Sequence, residues 1–191
     1  MTTLHDSPLA VDRSAAWDRG VSFQTFLPTA QDNVDLWIRT YERARVPDDI
    51  LARLDATAGA WKLLVLSADW CGDASNTIPV LAALADAAPT VDLRMLERDE
   101  NLGLMDDHLT NGTARAIPVV IVLDATGTER AWWGPRPQQM QTWFASDEAQ
   151  ALDKPDRYRE LRKMYARDRG ASTLDQVVTL IERAAGGRAV L

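Results

Sequence analysis

The sequence predicts an α/β fold, a central mixed sheet of four to five strands flanked by helices. Three features predict it. An apolar run at Leu63–Leu66 hands over to a helical pattern in which Ile78, Leu81, Leu84 and Ala85 share one face, and a second strand pattern follows at 91–97. A strand–helix–strand unit of this length implies a right-handed crossover and a parallel strand pair. Further on, the β-branched run 118–123, the turn Asp124-Ala125-Thr126-Gly127 and the stretch 128–133 read as two antiparallel strands. Helical periodicity before and after these segments supplies the flanking layers.

Composition sets outer bounds. The 191 residues suffice for one domain with a full core, and 46% apolar with 26% charged residues is ordinary for a soluble globular chain. A net charge of −7 argues against a nucleic-acid partner, because no surplus of basic residues meets phosphate. No run of about 18 apolar residues exists, so no membrane span is expected. The N-terminus carries Asp6 and Asp12 and lacks an apolar core of signal-peptide length, which gives a cytoplasmic expectation. The single cysteine excludes an intrachain disulfide, and His5 and His108 are too far apart to form a ligand cluster with Cys71. No metal or other cofactor is therefore expected.

In chain order, residues 1–20 are polar and mixed and read as a partly ordered leader. Ser22–Pro28 carries two aromatics that can pack on the domain. A helix is expected from Asp32, capped by Asp32 or Asn33, with Val34, Trp37 and Tyr41 at helical spacing. Pro47 suits the first position of another helix, whose apolar face is Ile50, Leu51 and Leu54 and which Ala58-Gly59 ends. Residues 1–57 thus form a mainly helical extension packed on a domain of residues 58–191. In that domain the reading places a strand at 62–68, a helix at 72–88, the strand 91–97 with Val91, Leu93 and Met95 on one face, and a short helix within 101–109. Pro118 cannot donate to a ladder and belongs at a strand start. After Gly134, a helix over 138–151 and another from about 154 to 168 make a helical insert at about 135–170. The last helix is capped by Ser172 or Thr173, covers the sheet with Leu174, Val177, Val178 and Ile181, and ends at Gly186-Gly187.

Cys71 stands where strand 62–68 gives way to a helix N-terminus. Unpaired backbone N–H groups and the helix dipole favour an anion there, and a thiolate is such an anion. The run Trp70-Cys71-Gly72-Asp73-Ala74 resembles the Trp-Cys-Gly-x-Cys motif of the thioredoxin superfamily, with Ala74 in the place of the second cysteine. Pro79, eight residues after Cys71, matches the helix proline of that family. Ile117-Pro118 before Val119–Val122, with Pro118 47 residues after Cys71, resembles the element in which thioredoxins hold a cis-proline against the active site. The variant motif also resembles a bacterial thioredoxin-like branch. The resemblance covers roughly residues 58–135 and the last helix, and it implies a thioredoxin-like fold.

What the resemblance implies for the site is specific. Cys71 would be the nucleophile, against the alternative of a buried structural cysteine. Trp70 would lie beside the sulfur, Gly72 would let a partner backbone approach, and Ile117 and Pro118 would face Cys71 and bind an extended partner peptide. Asp73 opposes thiolate formation while the helix terminus favours it; the alternative is a helix-start acid satisfying N–H groups. Ser75 could hydrogen-bond the sulfur or serve only as a helix-start serine, and Asp69 is expected to face solvent. Ala74 removes the resolving thiol, and Val65 stands where thioredoxins carry a buried acid, so dithiol reduction is doubly in doubt. Two functions follow. One is monothiol thiol–disulfide exchange, with protein disulfides or low-molecular-weight thiols as partners and an external thiol as resolver. The other is a non-catalytic thioredoxin-fold interaction module. A thiol peroxidase lacks the Thr-x-x-Cys motif expected of it. Trp132, Trp133, Trp143 and Tyr158 read as aromatics closing a helical lid on the sheet, and an insert overhanging Cys71 would limit which partners enter.

Overall fold

The computed structural model describes residues 2–7 and 10–186. The chain begins with strand β1 (Leu4–Asp6), helix α1 (Ser14–Arg19), strand β2 (Val21–Ser22) and helix α2 (Phe23–Phe26), followed by a 3-10 turn at Leu27–Thr29. Helices α3 (Val34–Arg43) and α4 (Asp48–Asp55) lead into strand β3 (Trp61–Ser67), helix α5 (Gly72–Ala87), strand β4 (Val91–Glu97) and helix α6 (Leu102–Asp106). Strands β5 (Val119–Asp124) and β6 (Glu129–Trp133) form a hairpin. Helices α7 (Gln138–Phe144), α8 (Asp147–Ala151), α9 (Lys154–Asp168) and α10 (Ala171–Ala185) complete the described chain.

The sheet order is β1-β6-β5-β3-β4-β2. Strand β3 lies at its centre, parallel to β4 and antiparallel to β5, as the crossover rule requires for a strand–helix–strand unit. Every residue of β3 except Lys62 is buried, so this strand reads as an apolar run rather than an alternation. Leu63, Leu64, Val65 and Leu66 are fully enclosed, each stabilising the fold by about 2 kcal/mol through burial. Helix α3 packs on α5, and α10 packs on β6, α4 and α5.

The sheet has six strands rather than four or five. The two additional strands come from the segment expected to be mainly helical or a polar leader: Leu4 registers with Trp133 and Val21 with Met95. Segments of three and two residues carry no readable periodicity. They become strands because an existing edge supplies the hydrogen-bond partners.

Several element ends also differ from expectation. Pro47 precedes α4 instead of opening it. Asn33 stands at the start of α3 in a left-handed conformation with no side-chain cap. The expected helix 138–151 is two helices, because Ser146 accepts a hydrogen bond from the Ala149 N–H and starts α8 anew. Helix α10 opens after Gly170, ahead of Ser172 and Thr173; Gly170 has φ +84°, and a Cβ there would lie 2.7 Å from Val80. Gly187, expected to end the last helix, lies outside the described residues.

Candidate active site around Cys71

The end of β3 delivers Ala68-Asp69-Trp70 into a turn, and Cys71 becomes the N-cap of α5. Its Sγ accepts from the Ala74 N–H at 3.5 Å and donates to the Ile117 carbonyl oxygen at 3.4 Å. The Ile117–Pro118 peptide is cis. A sulfur that gives a proton to one backbone group and takes one from another is in the arrangement of a neutral thiol.

The electrostatics agree. Cys71 is 6% exposed. Burial, and after it the Asp73 carboxylate, push its thiol up to about 11, and the backbone N–H groups of Ala74 and Asp73 with the Arg136 guanidinium offset this only in part. Of the two alternatives for Cys71, the burial is that of the structural cysteine, and burial together with Asp73 opposes ionisation of the thiol.

Asp73 differs most from expectation. It does not cap N–H groups at the surface but is buried. Its Oδ2 lies 2.6 Å from Arg136 Nη2 and its Oδ1 accepts from the Tyr165 hydroxyl at 2.8 Å. Burial pushes its carboxyl up from the ordinary aspartate range, while Arg136 and Tyr165 act in the opposite direction. Arg136 is held in turn by Gln141, whose Oε1 accepts from Nη1 at 3.0 Å, and by the Phe144 ring 4.1 Å away. Arg136 and Tyr165 both belong to the insert, which therefore reaches the first turn of α5 right beside Cys71.

Sequence reasoning missed both residues. A buried aspartate demands a cation, but nothing in Pro135-Arg136-Pro137 says which of 21 basic residues supplies it.

The remaining site residues are placed as follows. Trp70 is 48% exposed with the Arg98 guanidinium over its ring at 4.8 Å. At Gly72 an added Cβ would meet nothing within 4 Å, so packing does not require glycine there. Ala74 and Val65 are fully buried in apolar surroundings. Ser75 donates to the carbonyls of Cys71 and Gly72, not to sulfur. Ile117 and Pro118 are buried, with the Ile117 carbonyl engaged by the thiol.

Asp69, expected to face solvent, is only partly buried, and its carboxylate also accepts from the backbone N–H groups of Gln31 and Asp32, at 2.7 and 3.2 Å. Its carbonyl accepts from the Trp37 indole at 3.0 Å. These bonds tie the N-terminal helices to the loop that carries Trp70.

The aromatics divide as well. Trp132 and Trp133 belong to the sheet core, whereas Trp143 and Tyr158 pack in the insert's own small cluster with Met140, Leu161 and Tyr165. Among the described residues no group of histidine, cysteine and acidic side chains could hold a metal ion, and no helix is long and apolar enough to cross a membrane.

The central β3–α5 unit, the cis-proline opposite the N-cap cysteine and the covering last helix define a protein of the thioredoxin-like class. The family model described as thioredoxin matches residues 20–152, and the chain belongs to that family. Two solved structures share the fold. One, described as a protein of unknown function from Pseudomonas aeruginosa, is 20% identical with a TM-score of 0.74, over 92% of this chain and 99% of that one. The other, an HIV epitope-scaffold, is 19% identical with a TM-score of 0.71, over 90% and 98%. No curated protein matches the sequence.

Proposed function

We propose that this thioredoxin-family chain is a binding module that works without dithiol exchange, with Trp70 and the surface beside it meeting a protein partner. The observation that carries the reading is the burial of Cys71 against Asp73. With its thiol at about 11, roughly one molecule in ten thousand holds a thiolate at pH 7, against a few per cent for a free thiol. The greater nucleophilicity of a more basic thiolate recovers only about tenfold of that loss. Meanwhile Trp70, stacked with Arg98, stays exposed next to the silent sulfur, and aromatic and arginine side chains are those enriched at interfaces. A lone reduced thiol also accords with a cytoplasmic location.

Affinity capture under reducing conditions tests this with three forms of the protein. The partner set is expected to be the same for wild type and Cys71→Ser and to be lost with Trp70→Ala. Strict dependence on Cys71 would refute the reading.

A second reading is favoured by the N-cap position of Sγ and the positive charge of Arg136 behind Asp73. In it, a Cys71 thiolate attacks a partner disulfide, forms a mixed disulfide and releases the partner's other sulfur as a thiolate. An external low-molecular-weight thiol then attacks the mixed disulfide and frees Cys71. The pH dependence of Cys71 alkylation separates the two. A value well below about 8.5 would favour exchange, and one near 11 the binding module.

A further inference from the structure

We propose that the groove between α3, α5 and α9 binds a small organic anion with an apolar body. The groove encloses about 760 Å³, a volume ordinary for a small-ligand site. Leu36 of α3, Val80 of α5, and Tyr165 and Ala166 of α9 give it an apolar wall. Arg39 and Arg43 line it from α3, Arg162 from the middle of α9, and Arg169 from the residue that caps α9. Among the described residues no aspartate or glutamate lines it.

That cluster of cations with no acid among them contrasts with the net charge of −7. Arginines elsewhere divide: Arg13 sits on Glu129, Arg53 on Glu182, Arg115 on Asp106, Arg130 on Asp124 and Arg136 on Asp73, while others such as Arg45 and Arg94 have no salt bridge among the described residues. In the groove only Arg39 has such a partner, Asp35 at 3.2 Å, in an exposed pair of little energetic consequence. Among the described residues Arg43, Arg162 and Arg169 have no salt bridge. Guanidinium groups lining one concavity repel wherever they come within a Debye length of about 8 Å, and an anion bound among them offsets that repulsion. Their planar forks suit carboxylate or phosphate oxygens.

Neither half of the site is explained by the simpler ligand. An inorganic ion would leave the apolar wall wet, and a neutral apolar molecule would leave the arginines unmatched. A ligand carrying both an anionic head and an apolar body uses all of the groove. The groove shares Tyr165 with the Asp73 network beside Cys71, but the binding proposed here uses no thiol chemistry.

The test is calorimetric titration of the full chain with decanoate and with 2-naphthoate, which present the same chemistry on an acyl and an aromatic body. Inorganic phosphate and decanol serve as the two half-ligands. Saturable binding of either amphipathic anion, at least about tenfold tighter than both half-ligands, is expected, and the better of the two identifies the body. Arg43→Glu with Arg162→Glu should weaken that binding at least about tenfold and Ala166→Trp should block it. All three positions are exposed, so circular dichroism of the variants should match wild type. Failure of both anions to bind, phosphate binding as well as they do, or binding indifferent to charge reversal and to the tryptophan plug would each overturn the proposal.

Discussion

Burial raises the Cys71 thiol most, and Asp73, two residues away, raises it further, while Arg136 behind Asp73 acts in the opposite direction and is largely neutralised by the same carboxylate. Asp73→Asn should therefore leave Arg136 acting on sulfur unopposed and lower the Cys71 value from about 11 by at least about one unit. Arg136→Met should do the reverse. Alkylation rate against pH measures both, and no movement in either variant would mean that burial alone fixes the thiol. A second charged site lies on the other side of the sheet. Glu129, buried, accepts from His108 at 3.0 Å, from Arg13 at 2.8 Å and from Ser7. Burial alone would raise its carboxyl, but these partners overcome that and hold it down at about 2. A group whose folded value lies below its ordinary 4.5 contributes stability that is complete above that value and lost as pH falls toward 2. With a discount for partial solvent screening the contribution is about 2 kcal/mol. Glu129→Gln should flatten the loss of stability between pH 4.5 and 2 in denaturant titrations. An unchanged acid limb would show that other carboxylates dominate it.

At the level of elements, legibility followed length and apolar content. The strand 91–97 stands as read, β3 is displaced by one residue at both ends and α5 is one residue shorter at its C-terminal end, because each is long enough to show its pattern and each buries most of it. Cys71 stands at the strand–helix junction and the cis Ile117–Pro118 peptide lies opposite it, an arrangement local to two strand ends. What could not be read is whatever depends on a distant partner: the edge strands β1 and β2, the Asp69 bonds to Gln31 and Asp32, and the Arg136–Asp73 pair. Residue patterns report which face is buried, not what lies across it. The β6–α7 junction shows the same limit. Gly134 marked only the start of the insert in the reading, but its role is tighter than that. It has φ +143°, and a Cβ there would come within 2.2 Å of the Pro118 carbonyl oxygen. That oxygen is backbone next to the site and cannot yield as a flexible side chain would. Gly134→Ala should cost about 2–4 kcal/mol, seen as a lower denaturation midpoint at unchanged slope. A wild-type midpoint would mean that the junction relaxes freely.

On the scale of the whole molecule, the N-terminal segment acts as a clamp on the far edge of the sheet. β1 pairs with Ala131–Trp133 of β6, and His5 stacks on Trp132 with ring centroids 3.6 Å apart. The Thr3 carbonyl accepts from the Gly134 N–H at 3.1 Å and the Thr3 N–H donates to Gln138, which links the clamp to the start of the insert. Ser7 and Arg13 then reach Glu129 from the same segment. Removing residues 1–13 would strip three supports at once. β6 would become an open edge, Glu129 would keep only His108 among its side-chain partners in the described residues, and the junction at Gly134 would lose its outer hydrogen bond. The losses share one strand, so they should not add independently. A net cost of about 3–4 kcal/mol corresponds to a melting temperature lower by roughly 10 °C for a chain of this size. The bare backbone groups of β6 should in addition pair with a second copy, because an uncovered edge strand is a template for association. Differential scanning calorimetry combined with size-exclusion chromatography over a range of concentrations reads both effects. A lower melting temperature with concentration-dependent dimers is expected. A truncated protein that melts with the full chain and stays monomeric would mean that β6 is adequately covered without β1, and that the clamp contributes little to the fold it closes.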